Sequence, residues 1–263
     1  MKYFLFLSIV AFLTGCSRVN NDSGQPEKIL SLSAAATKIL YDLGVPPVAI
    51  DEYGKIAAGE PLPEIIGKGN AVSREKIAGL RIDHVILWSY QNDASANFRN
   101  LGIKVTEIAP FRLNVYPELV RRLGALTGKE KRAEELCSAF QKQLSAIPKP
   151  AKMRHVYFEL YGPFKSVGEE SYAGDLLSRA GGIVMNRKTG LISTENLLAH
   201  QPEIIFYVEG HGSVEEIRKR PGFSQFPAVQ NNRIYAVPRR LITEGVAPLE
   251  AIGFFRNQII REK

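Results

Sequence analysis

The sequence predicts an α/β protein of two similar lobes, each built on a parallel sheet and joined by one long helix. The first observation is a unit that recurs in altered form about 120 residues later. Ser73-Arg-Glu-Lys-Ile-Ala-Gly-Leu-Arg-Ile-Asp-His-Val-Ile-Leu-Trp88 runs parallel to Ser193-Thr-Glu-Asn-Leu-Leu-Ala-His-Gln-Pro-Glu-Ile-Ile-Phe-Tyr-Val208. In each copy a Ser can cap a short amphipathic helix, an acid in the first turn suits the helix dipole, and an apolar run then reads as a buried strand. The second observation is the alternation of such strands with helices, which argues for parallel sheets with crossovers. The third is an uninterrupted helical pattern between the two copies.

Taken in order, Lys28 to Ser33 reads as the first strand and Ala34 to Leu43 as a helix stopped by Gly44, which suits a C-terminal cap. Val48 to Ile50 is a second strand, leading into Asp51-Glu52-Tyr53. Pro61 to Val72, broken by Pro and Gly, reads as loop. The first repeat copy follows, then a short helix over Asn97 to Leu101 and a strand over Lys104 to Ile108. Lys129 to Ile147 sets Ala133, Leu136, Cys137, Phe140, Leu144 and Ile147 on one face without Gly or Pro. Such a helix spans roughly 27 Å, enough to pass from one lobe to the other. Pro148-Lys-Pro150 ends it. His155 to Leu160 opens the second half as a strand, Tyr161 to Phe164 is the loop after it, and Ser171 to Ala180 is a helix stopped by Gly181-Gly182. After the second repeat copy, Arg233 to Val237 is the last strand and Ala247 to Arg261 the closing helix. The predicted organisation is a signal over 1–15, a linker over 16–27, an N-terminal lobe over 28–115, a helical connector over 116–150 and a C-terminal lobe over 151–263.

Met1 to Cys16 reads MKYFLFLSIVAFLTGC, one Lys, an apolar run and a Leu-Thr-Gly-Cys ending. The run is shorter than the roughly 20 apolar residues a bilayer span requires. It has the design of a secretory signal, and its ending resembles a bacterial lipobox, which makes Cys16 the acylated first residue of an exported, membrane-tethered protein. Ser17 after that Cys, in place of Asp, fits sorting to an outer membrane where the cell has one; in a single-membrane cell the anchor holds the protein at the outer surface. Ser17 to Glu27 is a polar leash. The formal charge of +7 falls by one without Lys2. The positive residues are scattered, without the basic and aromatic clustering of nucleic-acid readers. Cys137 is then the sole thiol, so no intramolecular disulfide forms, and its apolar stripe predicts a buried core position.

Enzymatic constellations are poorly represented. His84, His155, His200 and His211 form no i,i+4 pair and have no Cys at metal-ligand spacing. Gly67-Lys-Gly69 lacks the third glycine of a dinucleotide fingerprint, and Gly210-His-Gly-Ser213 is no nucleophile elbow. Neither catalysis nor a bound cofactor is expected.

Lys28-Ile-Leu-Ser-Leu-Ser-Ala-Ala-Ala-Thr-Lys-Ile-Leu-Tyr-Asp-Leu-Gly44 closely resembles the opening of the class III (cluster A) bacterial solute-binding proteins that serve ABC importers for ferric siderophores, haem or cobalamin. Both repeat copies and Gly168 to Gly182 fit the same family, so the likeness covers nearly all of Lys28 to Ile260. It implies two Rossmann-like lobes joined by one long helix, a shallow cleft that closes little, and, as partners, a permease with its ATPase. It also implies that Glu75 and Glu244 dock on permease arginines, where charge-assisted pairs would fix one pose.

Open α/β sheets bind ligands at the carboxyl ends of their strands. That rule selects Ser33, Tyr53, Lys68, Ser89, Tyr90, Gln91 and Asn92 in the first lobe. In the second it selects Tyr161, Phe164, Arg187, Glu209, His211, Arg239 and Arg240. Tyr53 matches a cobalamin-contacting Tyr of the family, and aromatic faces pack well on flat macrocycles. The cleft tryptophans of some cobalamin binders have no counterpart, because Gly69 and Ile242 fall near those positions. Arg187, Arg239 and Arg240 suit the anionic oxygens of a ferric catecholate, a hydroxycarboxylate or a haem propionate, and His211 or a cleft Tyr offers an axial ligand to haem iron. The expected function is therefore capture of a metal chelate, a ferric siderophore or other iron complex first and cobalamin or haem second, by a lipid-anchored monomer that makes and breaks no bond. From other classes, the rivals are a chelate-processing enzyme and a ligand sensor on the same scaffold.

Overall fold

The computed structural model describes residues 27–261. The expectations for the signal, Cys16 and the leash as far as residue 26 lie outside the described residues. In the first lobe the chain runs β1 (Ile29–Ser31), α1 (Ala34–Asp42), β2 (Ala49–Ile50), β3 (Glu64–Ile65), β4 (Gly67–Lys68), β5 (Ala71–Val72), α2 (Arg74–Leu80), β6 (His84–Trp88), α3 (Asn92–Asn100) and β7 (Lys104–Ile108). Two helices follow, α4 (Tyr116–Thr127) and α5 (Glu130–Ala146). The second lobe runs β8 (Arg154–Glu159), β9 (Lys165–Ser166), α6 (Tyr172–Ala180), β10 (Gly182–Val184), β11 (Gly190–Leu191), α7 (Thr194–His200) and β12 (Ile204–Val208). It closes with α8 (Val214–Arg218), α9 (Pro227–Gln230), β13 (Ile234–Val237), α10 (Arg239–Ile242) and α11 (Pro248–Ile260).

The repeat is realised residue for residue. Ser73 and Ser193 each cap their helix by accepting from the backbone N–H three residues on, at 3.2 Å in both copies. Arg81 and Gln201 end the two helices in the left-handed conformation, with φ of 54° and 47°. The strands that follow, β6 and β12, are buried along their whole length, as unbroken apolar runs should be at the centre of parallel sheets. The first sheet has the order β3-β2-β1-β6-β7, and all four of its pairings are parallel. In the second, β12 lies between β8 and β13, again parallel, with β10 also beside β8 and the short strands β9 and β11 added antiparallel.

Two local expectations change. The segment read as loop from Pro61 carries β3 and a small β4–β5 hairpin, since its Pro and Gly residues punctuate strands too short to show a period. Helix α3 begins at Asn92 rather than Asn97, because Ala94, Ser95 and Phe98 form a buried stripe that a polar sequence disguises.

Helix α5 is unbroken over 17 residues, about 25 Å at the α-helical rise. Near its start Arg132 Nε donates to the Asp42 carbonyl of the first lobe at 3.1 Å. At its end Arg179 of the second lobe donates to the Leu144 and Ile147 carbonyls at 2.6 and 3.1 Å. Helix α4 lies along it, and the approach at Gly124 is so close that a Cβ there would stand 2.5 Å from Ala133 Cβ. Cys137 is fully buried, and burial pushes its thiol above the ordinary value, as its stripe predicted.

Beneath the cleft the two lobes share one interior. A single cluster of buried side chains contains Ile39, Ile86 and Phe111 from the first half and Phe158, Tyr172 and Phe255 from the second. Phe111 is the keystone. Its ring meets Tyr116 at 5.9 Å and Tyr172 at 5.2 Å, both edge to face. Beside it, Arg112 forms a forked pair with Asp175 of α6.

Candidate functional site: the cleft between the lobes

A cleft of about 750 Å³ opens where the carboxyl ends of β1, β2, β6, β8 and β13 converge. The first lobe contributes the turn after β2, the β4–β5 hairpin and the turn after β6, which supply Asp51, Tyr53, Lys68, Asn70, Trp88 and Tyr90. From the second come Tyr161 after β8 and Arg239, Ile242, Thr243 and Glu244 after β13. Trp88 and Tyr90 stack with 6.1 Å between ring centroids and planes only 9° apart. Lys68 Nζ lies 5.7 Å from the Tyr53 ring centre, and the Arg239 guanidinium 5.9 Å from that of Tyr161. Each lobe thus offers an aromatic face paired with a cation.

Three carboxyl groups complete the lining, those of Asp51, Glu52 and Glu244, and Glu52 pairs with Lys55 at 3.0 Å. Asp51, 2 % exposed, caps the turn after β2 by accepting from the Gly54 N–H at 2.9 Å and reaches the Gly69 N–H of the hairpin at 3.1 Å. Burial raises its pKa, with the Gly54 and Gly69 N–H groups opposing. Glu244 accepts from the Phe111 N–H at 3.4 Å, and burial raises it likewise. Desolvation within the cleft, then the negative fields of Glu244 and Asp51, push the Tyr90 phenol up. The lining therefore holds its protons more tightly than free side chains do and presents acceptors, and once protonated donors, between aromatic walls.

Of the residues selected by the strand-end rule, Tyr53, Lys68, Tyr90, Gln91, Tyr161 and Arg239 line this cleft. Gln91 is turned inward: its Oε1 accepts from the Trp88 N–H at 2.8 Å and its Nε2 donates to Asn70 at 2.7 Å, so it sets its neighbours in place. His211 stands beside the cleft, edge-on to Tyr161 at 5.0 Å. The others are elsewhere. Ser33 is buried, and its hydroxyl caps α1 by accepting from Ala36 N–H at 3.2 Å. Ser89, Asn92 and Glu209 face solvent. Phe164 packs into the second lobe against Phe223. Arg187 pairs with Glu170 at 2.6 Å on the surface, and Arg240 pairs with Glu250. Two of the three arginines selected for anionic oxygens are thus engaged outside the cleft.

Of the two acids expected to dock, Glu244 is half-buried and its carboxyl accepts from the Phe111 N–H of the first lobe. Glu75 does lie exposed, in the first turn of α2. Its repeat partner is Glu195, exposed in the first turn of α7 behind the Ser193 cap, and the constant offset of the two copies was the signal for it. The sequence reading also passed over Trp88, which it placed only as the last residue of a buried strand run and which lines the cleft from that strand's carboxyl end, and Asp51, which directly follows β2.

The sequence profile of the periplasmic binding protein family matches residues 29–241. An uncharacterized ABC transporter substrate-binding lipoprotein of Bacillus subtilis, YvrC, is 26% identical over 83% of this chain and 75% of its own length. The vitamin B12-binding protein of Salmonella typhimurium is 22% identical over 73% of this chain and 76% of its own. Among solved structures, the periplasmic heme-binding protein HutB of Vibrio cholerae superposes with a TM-score of 0.77 at 20% identity, covering 89% of this chain and 99% of that one. Because that profile match, residues 29–241, spans well over half of the sequence, the chain belongs to the periplasmic binding protein family.

Proposed function

We propose that this protein captures a flat metal macrocycle, a cobalamin-like corrinoid first, and hands it unaltered to the permease of an ABC importer. The observation that carries the reading is the grouping of Trp88, Tyr90, Tyr53 and Tyr161 around one cleft whose lining also holds Asp51 and Glu244. Aromatic faces supply area to a conjugated ring, and the two carboxyl groups and Asn70 suit the amide groups on a corrin rim. A ferric catecholate fares worse than the sequence alone suggested. Its negative charge would meet Asp51, Glu52 and Glu244 as well as Lys55 and Lys68, and of the three arginines expected to serve it only Arg239 is in the lining. The Salmonella relative's name supports the corrinoid reading. Haem is the second reading, favoured by Lys55, Lys68 and Arg239 for its propionates and by His211 beside Tyr161.

Incubation with cyanocobalamin, haemin and a ferric catecholate, followed by desalting and a visible spectrum, tests this. Retained cyanocobalamin with an unchanged spectrum is expected; retention of the catecholate alone would overturn the macrocycle reading, and a converted ligand would indicate an enzyme. Glu75 and Glu195 are proposed as the two docking points on the permease. Their replacement by Ala should abolish uptake while binding persists. Export and tethering are proposed from the Leu13-Thr-Gly-Cys16 ending, with 1–15 removed. Cys16→Ser should release the protein from the membrane fraction.

A further inference from the structure

We infer that the buried Glu159–Arg220 ion pair is a positioning device that holds a strained turn and thereby aims the Tyr161 ring into the cleft. The inference rests on the reading of that cleft as the ligand site, and it concerns residues that do not line it.

Strand β8 ends at Glu159, and residues 160–164 turn from it into β9. Two residues of this turn lie in the left-handed region, Tyr161 at φ 52° and Phe164 at φ 61°. Bulky side chains rarely adopt it, because the Cβ crowds the backbone. A short turn that keeps two aromatic residues there persists only when its surroundings over-determine it, and such turns cluster at functional sites.

The surroundings here are specific. The Glu159 carboxylate is 1 % exposed. It accepts from the Phe164 N–H at 3.0 Å, which fixes the far end of the turn, and from the Tyr157 hydroxyl at 2.5 Å. Arg220 donates to both of its oxygens, at 2.5 and 2.9 Å, the planar fork that arginine alone provides. The guanidinium also lies 5.5 Å from the ring centres of Phe164 and Phe223, so the cation clamps the Phe164 side chain as well. Pinned at its start by Glu159 and at its end by the Phe164 backbone and ring, the turn leaves Tyr161 free to project. That ring is what reaches the cleft, with His211 edge-on at 5.0 Å and Arg239 over it at 5.9 Å. An Asn or Gly would satisfy the same backbone with less strain. A Tyr is explained by what its ring does.

The test needs a readout that does not depend on the ligand. The edge-on ring pair supplies one, since the ring current of Tyr161 displaces the proton resonances of the His211 imidazole. Tyr161→Ala gives the resonance position without the ring. In Glu159→Gln, with Tyr161 still present, the His211 resonance is expected to move most of the way to that position, and the dissociation constant for cyanocobalamin to rise at least tenfold. Arg220→Lys, which keeps the charge and loses the fork, should fall between, and it decides the matter should Glu159→Gln fail to fold. A folded Glu159→Gln or Arg220→Lys protein whose His211 resonance stays at the wild-type position would overturn the inference. If the unaltered protein retains neither cyanocobalamin nor haemin, the macrocycle reading falls, while the resonance still decides whether the ion pair positions the ring.

Discussion

Replacing Phe111 by Ala probes whether the two lobes share an interior. Phe111 is 1 % exposed and lies in ring contact with Tyr116 of α4 and Tyr172 of α6. Truncating a buried Phe to Ala costs about 3–5 kcal/mol, the upper end applying where the cavity cannot collapse. Collapse is resisted here, because the walls belong to α4, which packs closely along the connector α5, and to a helix of the second lobe. The two edge-to-face pairs lost with the ring add about 0.5–1.5 kcal/mol each beyond area burial in typical proteins, so we expect a loss of about 4–5 kcal/mol. With a urea slope of about 3 kcal/mol per molar, the top of the usual range and suited to a chain of this size, the midpoint should fall by roughly 1.5 M. Unfolding is followed by the fluorescence of Trp88, the only tryptophan in the sequence, which reports the first lobe, and by far-ultraviolet circular dichroism, which reports both. The two signals should move together in the parent and the variant. A loss under about 1.5 kcal/mol would refute the reasoning from burial and cavity formation, as would a Trp88 transition that separates from the dichroism in the parent protein.

Tyr53→Ala removes one aromatic face and should weaken cyanocobalamin binding five- to tenfold, about 1 kcal/mol, read as reduced quenching of Trp88. Glu244→Gln tests the buried acid. Burial raises its folded-state pKa above the ordinary 4.5, so its contribution to stability is present below that value and is lost as pH rises through the folded pKa. The variant should therefore surpass the parent in urea midpoint at pH 7 and match it near pH 4; equal midpoints at pH 7 would contradict the assignment. Gly245 has φ 73°, and a Cβ there would stand 2.6 Å from Ala35 Cβ and 3.0 Å from Ala35 Cα across the lobe junction. Gly245→Ala should cost about 1–3 kcal/mol, partly restored in calorimetry by adding Ala35→Gly.

What the sequence made legible was whatever depends on neighbours in the chain. The Ser73 and Ser193 caps, the central strands and the unbroken connector follow from local pattern, and each is found where the pattern put it. The cleft was legible by half, because the strand-end rule names a side of the sheet but not which side chains turn inward. Arg187 and Arg240 were lost to Glu170 and Glu250, partners 17 and 10 residues away that no periodicity announces. Trp88 was hidden by its own strand, since an apolar residue at the end of an apolar run looks like core until the sheet is assembled. Glu244 reads as a loop acid in the chain and becomes a cleft acid only when Phe111, 133 residues earlier, donates to it.

The common interior that runs under the cleft has a consequence for delivery. Swinging the halves apart would bare Phe111, Tyr172 and the contact of Val246 with Ala34 to water, and the penalty grows with every square ångström exposed. A core so stitched makes wide separation of the halves costly, so on the proposed function opening for discharge would draw on work supplied from outside the chain.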